Sequence, residues 1–138
     1  MRAELAALDD EIAAALLGPP VPGKAQLFED QYISTGGQLY ELIVGHDRFI
    51  ADLRSIARGT QHAAPSTSRS LCCHPYDLCT ELIARECGVV VTDAHGAPLD
   101  APLNVEADVS WAGYANAGLH ATVEPVLQAA LKARGWLA

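Results

Sequence analysis

Apolar residues recur at helical spacing in several stretches of the chain, and shorter apolar runs lie between them. The predicted helices are residues 3–17, 38–44, 76–87 and 119–134. The predicted strands are residues 48–53, 89–93 and 109–114. Strand and helix alternate along the sequence, which is typical of layered folds. We therefore predict an α/β domain with a small central sheet flanked by helices, in which Trp111 and Tyr114 point to opposite faces.

Glycine and proline mark the boundaries between these elements. Gly18-Pro19-Pro20 ends the first helix, so we divide the chain into residues 1–24, an N-terminal helix with a Pro/Gly linker, and residues 25–138, the main domain. Residues 25–32 could hold a short strand, and the polar stretch 54–70 is predicted to be an exposed loop. Pro125 predicts a kink or a late start in the last helix.

Charge and hydropathy exclude several classes of partner. The 138 residues carry a formal net charge of −8, which disfavours binding to nucleic acid or to anionic lipid. No apolar run approaches the ~18 residues that a membrane span needs. Glu4 stands where a signal peptide would have its hydrophobic stretch. We predict a cytoplasmic protein with no nucleic-acid or membrane partner.

The four cysteines suggest either structural thiols or a metal site. Cys72 and Cys73 are adjacent and cannot readily bridge each other, and no C-x-x-C pair exists. Cys79 and Cys87 fall in an apolar helical pattern, where cysteine behaves as a small hydrophobe. We expect reduced structural thiols. The alternative is a zinc or thiol site at Cys72-Cys73-His74, although its spacing matches no standard zinc module.

One long segment resembles a known family. The run from Tyr76 to Asp93, YDLCTELIARECGVVVTD, is similar to the C-terminal signature of the inositol monophosphatases, where Trp-Asp opens a helix that ends in Arg-Glu-Ala-Gly and a strand ends in Val-Thr-Asp. Residues 96–100 and 113–120 extend the resemblance, and Ser34-Thr35-Gly36 resembles the family's Ser-Ala-Ala-Leu segment. About residues 27–135 are covered.

The resemblance implies a magnesium-dependent hydrolase of phosphate monoesters. It implies that Asp77 is a Mg²⁺ ligand, and that Ser34, Thr35, Gly36 and Asp52 lie on the side of a sugar- or inositol-phosphate substrate. Tyr76 replaces the family's Trp, Gly36-Gly37 replaces Ala-Leu, and Asp52 is shorter than the usual Glu.

The family's N-terminal motifs, Gly-Glu-Glu and Asp-Pro-x-Asp-Gly-Thr/Ser, supply most metal ligands and the activated water. No Asp-Pro-x-Asp occurs in this chain. We therefore assign no catalytic residue to it. We expect the substrate-side part of an enzyme, incomplete or inactive alone unless a partner chain supplies the N-terminal half.

Each of these residues also has a structural interpretation. Asp77 could cap a helix N-terminus, as could Ser34 or Thr35, and Asp52 could be a solvent-facing strand residue. The alternative function is a non-catalytic interaction or oligomerisation module that kept the fold. An uncovered apolar surface would drive association, so we expect a homo-oligomer.

Overall fold

The computed structural model describes residues 2–27, 34–59 and 72–137. The elements in chain order are α1 (Arg2–Leu17), α2 (Thr35–Val44), β1 (Phe49–Asp52), α3 (Arg54–Gly59), a 3₁₀ turn (Pro75–Leu78), α4 (Glu81–Glu86), β2 (Val90–Asp93), β3 (Trp111–Tyr114) and α5 (Ala117–Ala133). The strand predicted at 25–32 falls largely outside the described residues, as does most of the predicted loop 54–70. No helix in the described ranges is both long and apolar enough to cross a membrane.

The three strands form one antiparallel sheet in the order β1-β3-β2. The central strand β3 is buried along its whole length. Because side chains alternate across a strand, Ala112 and Tyr114 enter one core while Trp111 enters the other. The predicted α/β architecture, the three strands and the opposite faces of Trp111 and Tyr114 are confirmed.

One face of the sheet is covered by α1 and α5, and we call it the α1/α5 face. Leu8 and Ile12 of α1 pack in one buried cluster with Leu127 and Leu131 of α5 and Tyr114 of the sheet. Leu8 and Ile12 are four positions apart, so they lie on one side of α1. The predicted first helix is thus confirmed, and its apolar side joins the main core.

The opposite face is covered by α2 and α4, and we call it the α2/α4 face. Its buried cluster includes Leu39 and Leu42 of α2, Trp111 of β3, and Cys73 from the segment before the 3₁₀ turn. Helix α2 ends at Gly45, whose φ of 75° is the left-handed conformation that glycine adopts easily at a helix end. Both sides of the small sheet are therefore packed, which gives a three-layer arrangement.

The predicted helix over 76–87 is wrong in its continuity. The structure has a 3₁₀ turn over Pro75–Leu78 and a separate short helix, α4. Its predicted apolar side is also only partly buried: Leu78 is buried, whereas Leu82 and Ile83 are 60% and 58% exposed. Proline lacks an N–H and suits the first position of a helical turn, so Pro75 starts the turn one residue early.

Three further expectations need correction. Residues 54–59 are helical rather than loop, because Ile56 and Ala57 pack into the α1/α5 core and the turn of helix brings them there. Helix α5 begins two residues before its predicted start, where Asn116 caps it, and it continues through Pro125. Cys79 and Cys87 are exposed and do not serve as small core residues.

Candidate functional site

Three of the residues singled out by the resemblance meet at one short segment, Cys73-His74. The Thr35 hydroxyl lies 3.7 Å from the Cys73 sulfur and donates to it. The Asp52 carboxylate accepts the Cys73 backbone N–H at 3.2 Å, and the Asp77 carboxylate accepts the His74 backbone N–H at 2.9 Å. These residues come from α2, the end of β1 and the 3₁₀ turn, so the fold gathers them from distant parts of the sequence.

Asp52 is buried, with 6% of its surface exposed. Both of its oxygens bind the Arg54 side chain, with Nη2 at 2.6 Å and Nε at 2.8 Å, and the Arg54 backbone N–H donates to it as well. With the bond from Cys73, the carboxylate accepts four hydrogen bonds. The interpretation as a solvent-facing residue is wrong, and these contacts commit Asp52 to holding two segments together.

Asp77 joins its own turn to the preceding residue. Its Oδ2 accepts the His74 N–H and lies 3.7 Å from His74 Nδ1. His74, and not Asp77, is the N-cap of the turn; Asp77 is its third residue and makes the return bond of a capping box, so the predicted N-cap position is wrong. Its Oδ1 receives no hydrogen bond from the described residues, and 28% of the side chain is exposed. One carboxylate oxygen is therefore available to a cation while the other keeps its capping role.

The start of α2 adds the remaining predicted residues. Ser34 is the N-cap, and its hydroxyl accepts the Gly37 N–H at 3.1 Å. Thr35 is buried and directed at Cys73. A Cβ at Gly36 would lie in ordinary contact with Thr80, 3.6 Å away. The side chains of Ser34 and Thr35 thus have structural partners, and the first backbone N–H groups of the helix are the groups left for a ligand.

Cys73 is an unreactive thiol at this buried position. The residue is 1% exposed. Burial is the main cause that raises the pKa of the thiol to about 12; the Thr35 hydrogen bond, the next influence in size, lowers it, and the negative charges of Asp52 and Asp77 raise it. The nucleophile in thiol chemistry is the thiolate. Cys73 therefore remains a neutral thiol at physiological pH and has a packing role.

A second group of side chains lies on the other side of the same segment. The Cys72 sulfur donates to Asp108 Oδ1 at 3.0 Å, and His74 Nε2 lies 3.7 Å from that oxygen. The sulfur, an imidazole nitrogen and the carboxylate oxygen are all within 4.8 Å of one another. Sequence reasoning noticed Cys72 and His74 but missed Asp108, because nothing in the sequence states that residues 108–110 lie beside residues 72–74.

Two surface grooves lie away from these residues. One is lined by Glu4 and Ala7 of α1 with Arg134 and Trp136 near the C-terminus. The other runs along β2 and includes His120. Neither of these two grooves is lined by the residues that the resemblance places beside a substrate.

The chain was also compared with known proteins. No protein-family model, no curated protein and no solved structure matches it. The site therefore has to be interpreted from its own geometry and from the resemblance in residues 76–93.

Proposed function

We propose that this chain is the substrate-side part of a magnesium-dependent phosphate monoester hydrolase resembling inositol monophosphatase, and that it is incomplete on its own. The observation that carries the proposal is the meeting of Thr35, Asp52 and Asp77 at Cys73-His74. These positions were selected by resemblance to a family site, and the fold brings them into one cluster. Thr35 and Asp52 reach Cys73 from 38 and 21 positions away in sequence, whereas Asp77 lies in the turn that follows it.

The donor chemistry at Asp77 suits Mg²⁺ in part. Magnesium prefers oxygen ligands, retains several waters and is held by one or two carboxylates together with substrate phosphate oxygens. Asp77 offers one such oxygen. We propose that the remaining carboxylates come from a partner chain that carries the family's Gly-Glu-Glu and Asp-Pro-x-Asp motifs. When bound, the metal would polarise phosphate oxygens and favour ionisation of a water.

The chain's own groups would bind and orient the substrate. The N-terminus of α2 presents backbone N–H groups and the positive end of a helix dipole, which suits an anionic or hydroxylated ligand. The Thr35 hydroxyl is engaged with Cys73, so its contribution would be through the backbone. The contacts of Asp52 favour a positioning role, in which Arg54 and Cys73 fix the segment that carries Asp77.

A magnesium titration of the isolated chain followed by NMR tests this directly. We expect weak binding, with amide shifts confined to residues near the 3₁₀ turn and the start of α2. Asp77→Asn should remove these shifts while leaving the fold intact, since the Asn side-chain oxygen can still accept the His74 N–H. Asp10→Asn, an exposed change on α1, is the matched control. Shifts that are absent, or that persist in Asp77→Asn, would overturn the proposal.

The activity itself is tested by adding a polypeptide that carries the missing motifs. Phosphate release from an inositol or sugar phosphate should require both chains and Mg²⁺. Asp77→Asn should reduce release to background, and Asp10→Asn should match the unmodified chain. Full activity in Asp77→Asn would leave that residue as a cap alone.

Exposed apolar residues on the outer side of α2 and α4 favour a second candidate, a non-catalytic homo-oligomerisation module. Tyr40 is 57% exposed, Leu82 60% and Ile83 58%, and they lie on two helices that contact each other. Such surfaces drive association. Sedimentation should show a dimer or larger species that Ile83→Glu converts to monomer. A clean monomer at micromolar concentration would exclude this candidate.

A further inference from the structure

The backbone between Cys72 and His74 is extended and pairs with the segment that precedes β3. Cys73 pairs with Val109 in an antiparallel bridge, and the Val109 N–H donates to the Cys73 carbonyl at 2.8 Å. Residues two apart on an extended chain share a face, so Cys72 and His74 lie on the opposite side of the segment from Cys73. In the same register Asp108 is opposite His74, which brings together three donor groups of decreasing burial: Cys72 is 6% exposed, His74 is half-buried and Asp108 is exposed.

The distances in this group suit a tetrahedral metal site. Zinc binds sulfur at about 2.3 Å and nitrogen or oxygen at about 2.0–2.2 Å, so its ligand atoms are roughly 3.3–3.8 Å apart. The Cys72 Sγ to Asp108 Oδ1 distance is 3.0 Å, and the His74 Nε2 to Asp108 Oδ1 distance is 3.7 Å. All three donor atoms fall within 4.8 Å of one another. Small side-chain movements would complete the geometry.

The imidazole of His74 is held from its other side. Its Nδ1 faces Asp77 Oδ2 at 3.7 Å, and the ring stacks on Tyr76 with a centroid distance of 5.5 Å and an interplanar angle of 8°. A histidine that binds a metal usually has its second nitrogen oriented by a carboxylate, which fixes the ring and its tautomer. The arrangement therefore leaves Nε2 directed toward Cys72 and Asp108.

We propose that Cys72, His74 and Asp108 form a binding site for Zn²⁺ with an open fourth position. A thiolate, an imidazole and a carboxylate together select zinc over magnesium or calcium, which prefer oxygen alone. The Asp108 side chain is 53% exposed, so water has access to the fourth position. This site goes beyond the proposed phosphatase function, which uses Asp77 and a different metal.

Binding would exchange a proton for the metal. The Cys72 thiol now donates its hydrogen to Asp108; on binding, that proton is released and the sulfur and carboxylate oxygen both bind the cation. Zinc affinity should therefore rise with pH over the range in which the thiol must be deprotonated. The net charge of −8 also favours the approach of a cation.

Competition with a chromogenic zinc chelator tests the site in the full chain. We expect one Zn²⁺ per chain. Cys72→Ser and Asp108→Asn should each weaken binding by more than the about 10–100-fold that loss of an outer partner causes. Cys79→Ser, which removes an exposed thiol outside the group, should leave binding unchanged. Zinc binding that is absent, or equal in Cys72→Ser and the unmodified chain, would overturn the inference.

Cobalt substitution gives a readout that does not depend on affinity. Co²⁺ bound through Cys72 should show a sulfur-to-metal charge-transfer band in the unmodified chain and in Cys79→Ser, and none in Cys72→Ser. Circular dichroism confirms that each variant is folded, and Asp108→Asn is a mild change at an exposed side chain. Cys72 and Asp108 have no part in the magnesium proposal, so the zinc results with Cys72→Ser and Asp108→Asn distinguish failure of one proposal from failure of the other.

Discussion

Both faces of the sheet are packed against helices, but the residues buried on them differ in chemistry. On the α1/α5 face the buried cluster is almost wholly aliphatic and aromatic, with the Tyr114 hydroxyl donating to Glu124 at its edge. On the α2/α4 face the cluster includes a thiol, and the buried Thr35 and Asp52 lie against it. The residues singled out for function therefore lie on, or at the rim of, the α2/α4 face.

The difference shows how polar groups are accommodated in a small core. Burying an unpaired polar group costs free energy, so such groups are kept where partners exist. On the α2/α4 face the partners are backbone N–H groups of an extended segment and the Arg54 side chain. On the α1/α5 face the polar groups are the buried Thr92 and the Tyr114–Glu124 pair, which involve side chains alone. The irregular segment 72–74 thus supplies backbone donors to one face of the sheet.

The largest expected effect comes from truncating one large buried side chain on each face of the sheet. Trp111→Ala should lower the free energy of unfolding by about 3–5 kcal/mol and Leu127→Ala by about 2–5 kcal/mol, since both residues are fully buried. Only Trp111→Ala should also weaken zinc binding, because Trp111 packs in the cluster that holds Cys73. Urea denaturation and chelator competition measure the two effects. Equal loss of zinc binding in both variants would mean that the faces act as one unit.

Asp52→Asn should destabilise the α2/α4 face by about 1–3 kcal/mol. The amide cannot accept the paired bonds from Arg54 and also the Cys73 N–H, so a buried donor loses its partner. Asp10→Asn, exposed on α1, should stay within about 0.5 kcal/mol of the unmodified chain. Chemical denaturation gives both values. If Asp52→Asn costs no more than Asp10→Asn, the carboxylate is not structural and is open to a ligand.

Gly113→Ala tests how closely α2 approaches the sheet. A Cβ at this position would lie 2.6 Å from Leu42 Cδ1 and 2.8 Å from the Trp111 ring, so we expect a loss of about 1–3 kcal/mol from overpacking. Gly36→Ala is the matched control, since its Cβ would meet only Thr80 at 3.6 Å. That change should stabilise the chain by about 0.4–1 kcal/mol. Thermal denaturation of the two variants should shift in opposite directions.

The smallest effect concerns thiol reactivity. Cys79 and Cys87 are exposed and should be alkylated first, while Cys73 should remain unmodified in the native state. Its pKa is raised by burial from the ordinary value of 9.0 to about 12. The folded state therefore favours the neutral thiol: this contribution to stability is complete below pH 9 and declines as the pH rises toward 12. Peptide mass spectrometry after iodoacetamide treatment identifies the sites, and early labelling of Cys73 would contradict the assignment.

Most of the layered architecture could be predicted from local patterns. Helix α1 and the three strands follow from apolar spacing and β-branched runs, which depend on residues close in sequence. The helix over residues 54–59 could not be predicted, because Ala57 becomes buried only through contact with the α1/α5 core. The break between the 3₁₀ turn and α4 was also not predicted. Leu82 and Ile83 have the spacing of a buried apolar helix face, although both are exposed in the structure.

The hydrogen-bond partners of the candidate residues could not be predicted from the sequence. The resemblance supplied Asp52 and Asp77, and the fold places both beside Cys73-His74. Asp108 was invisible because its neighbours are 34 to 36 positions away in sequence. Pairing of that kind depends on strand register, and register is determined by the whole sheet rather than by a local motif.

The Cys72-Cys73 doublet has a consequence for how that register is chosen. In the observed alignment both cysteines are buried, Cys73 at 1% and Cys72 at 6% exposed. A slip of one residue in an extended segment exchanges its two faces, so it would turn His74 toward the place that the Cys73 thiol now occupies. Two hydrogen bonds to other elements favour the observed alignment, from Cys73 N–H to Asp52 and from Val109 N–H to the Cys73 carbonyl. The bond from His74 N–H to Asp77 lies within the turn and fixes the local conformation. Asp52 thus helps to select the alignment that sets His74 opposite Asp108.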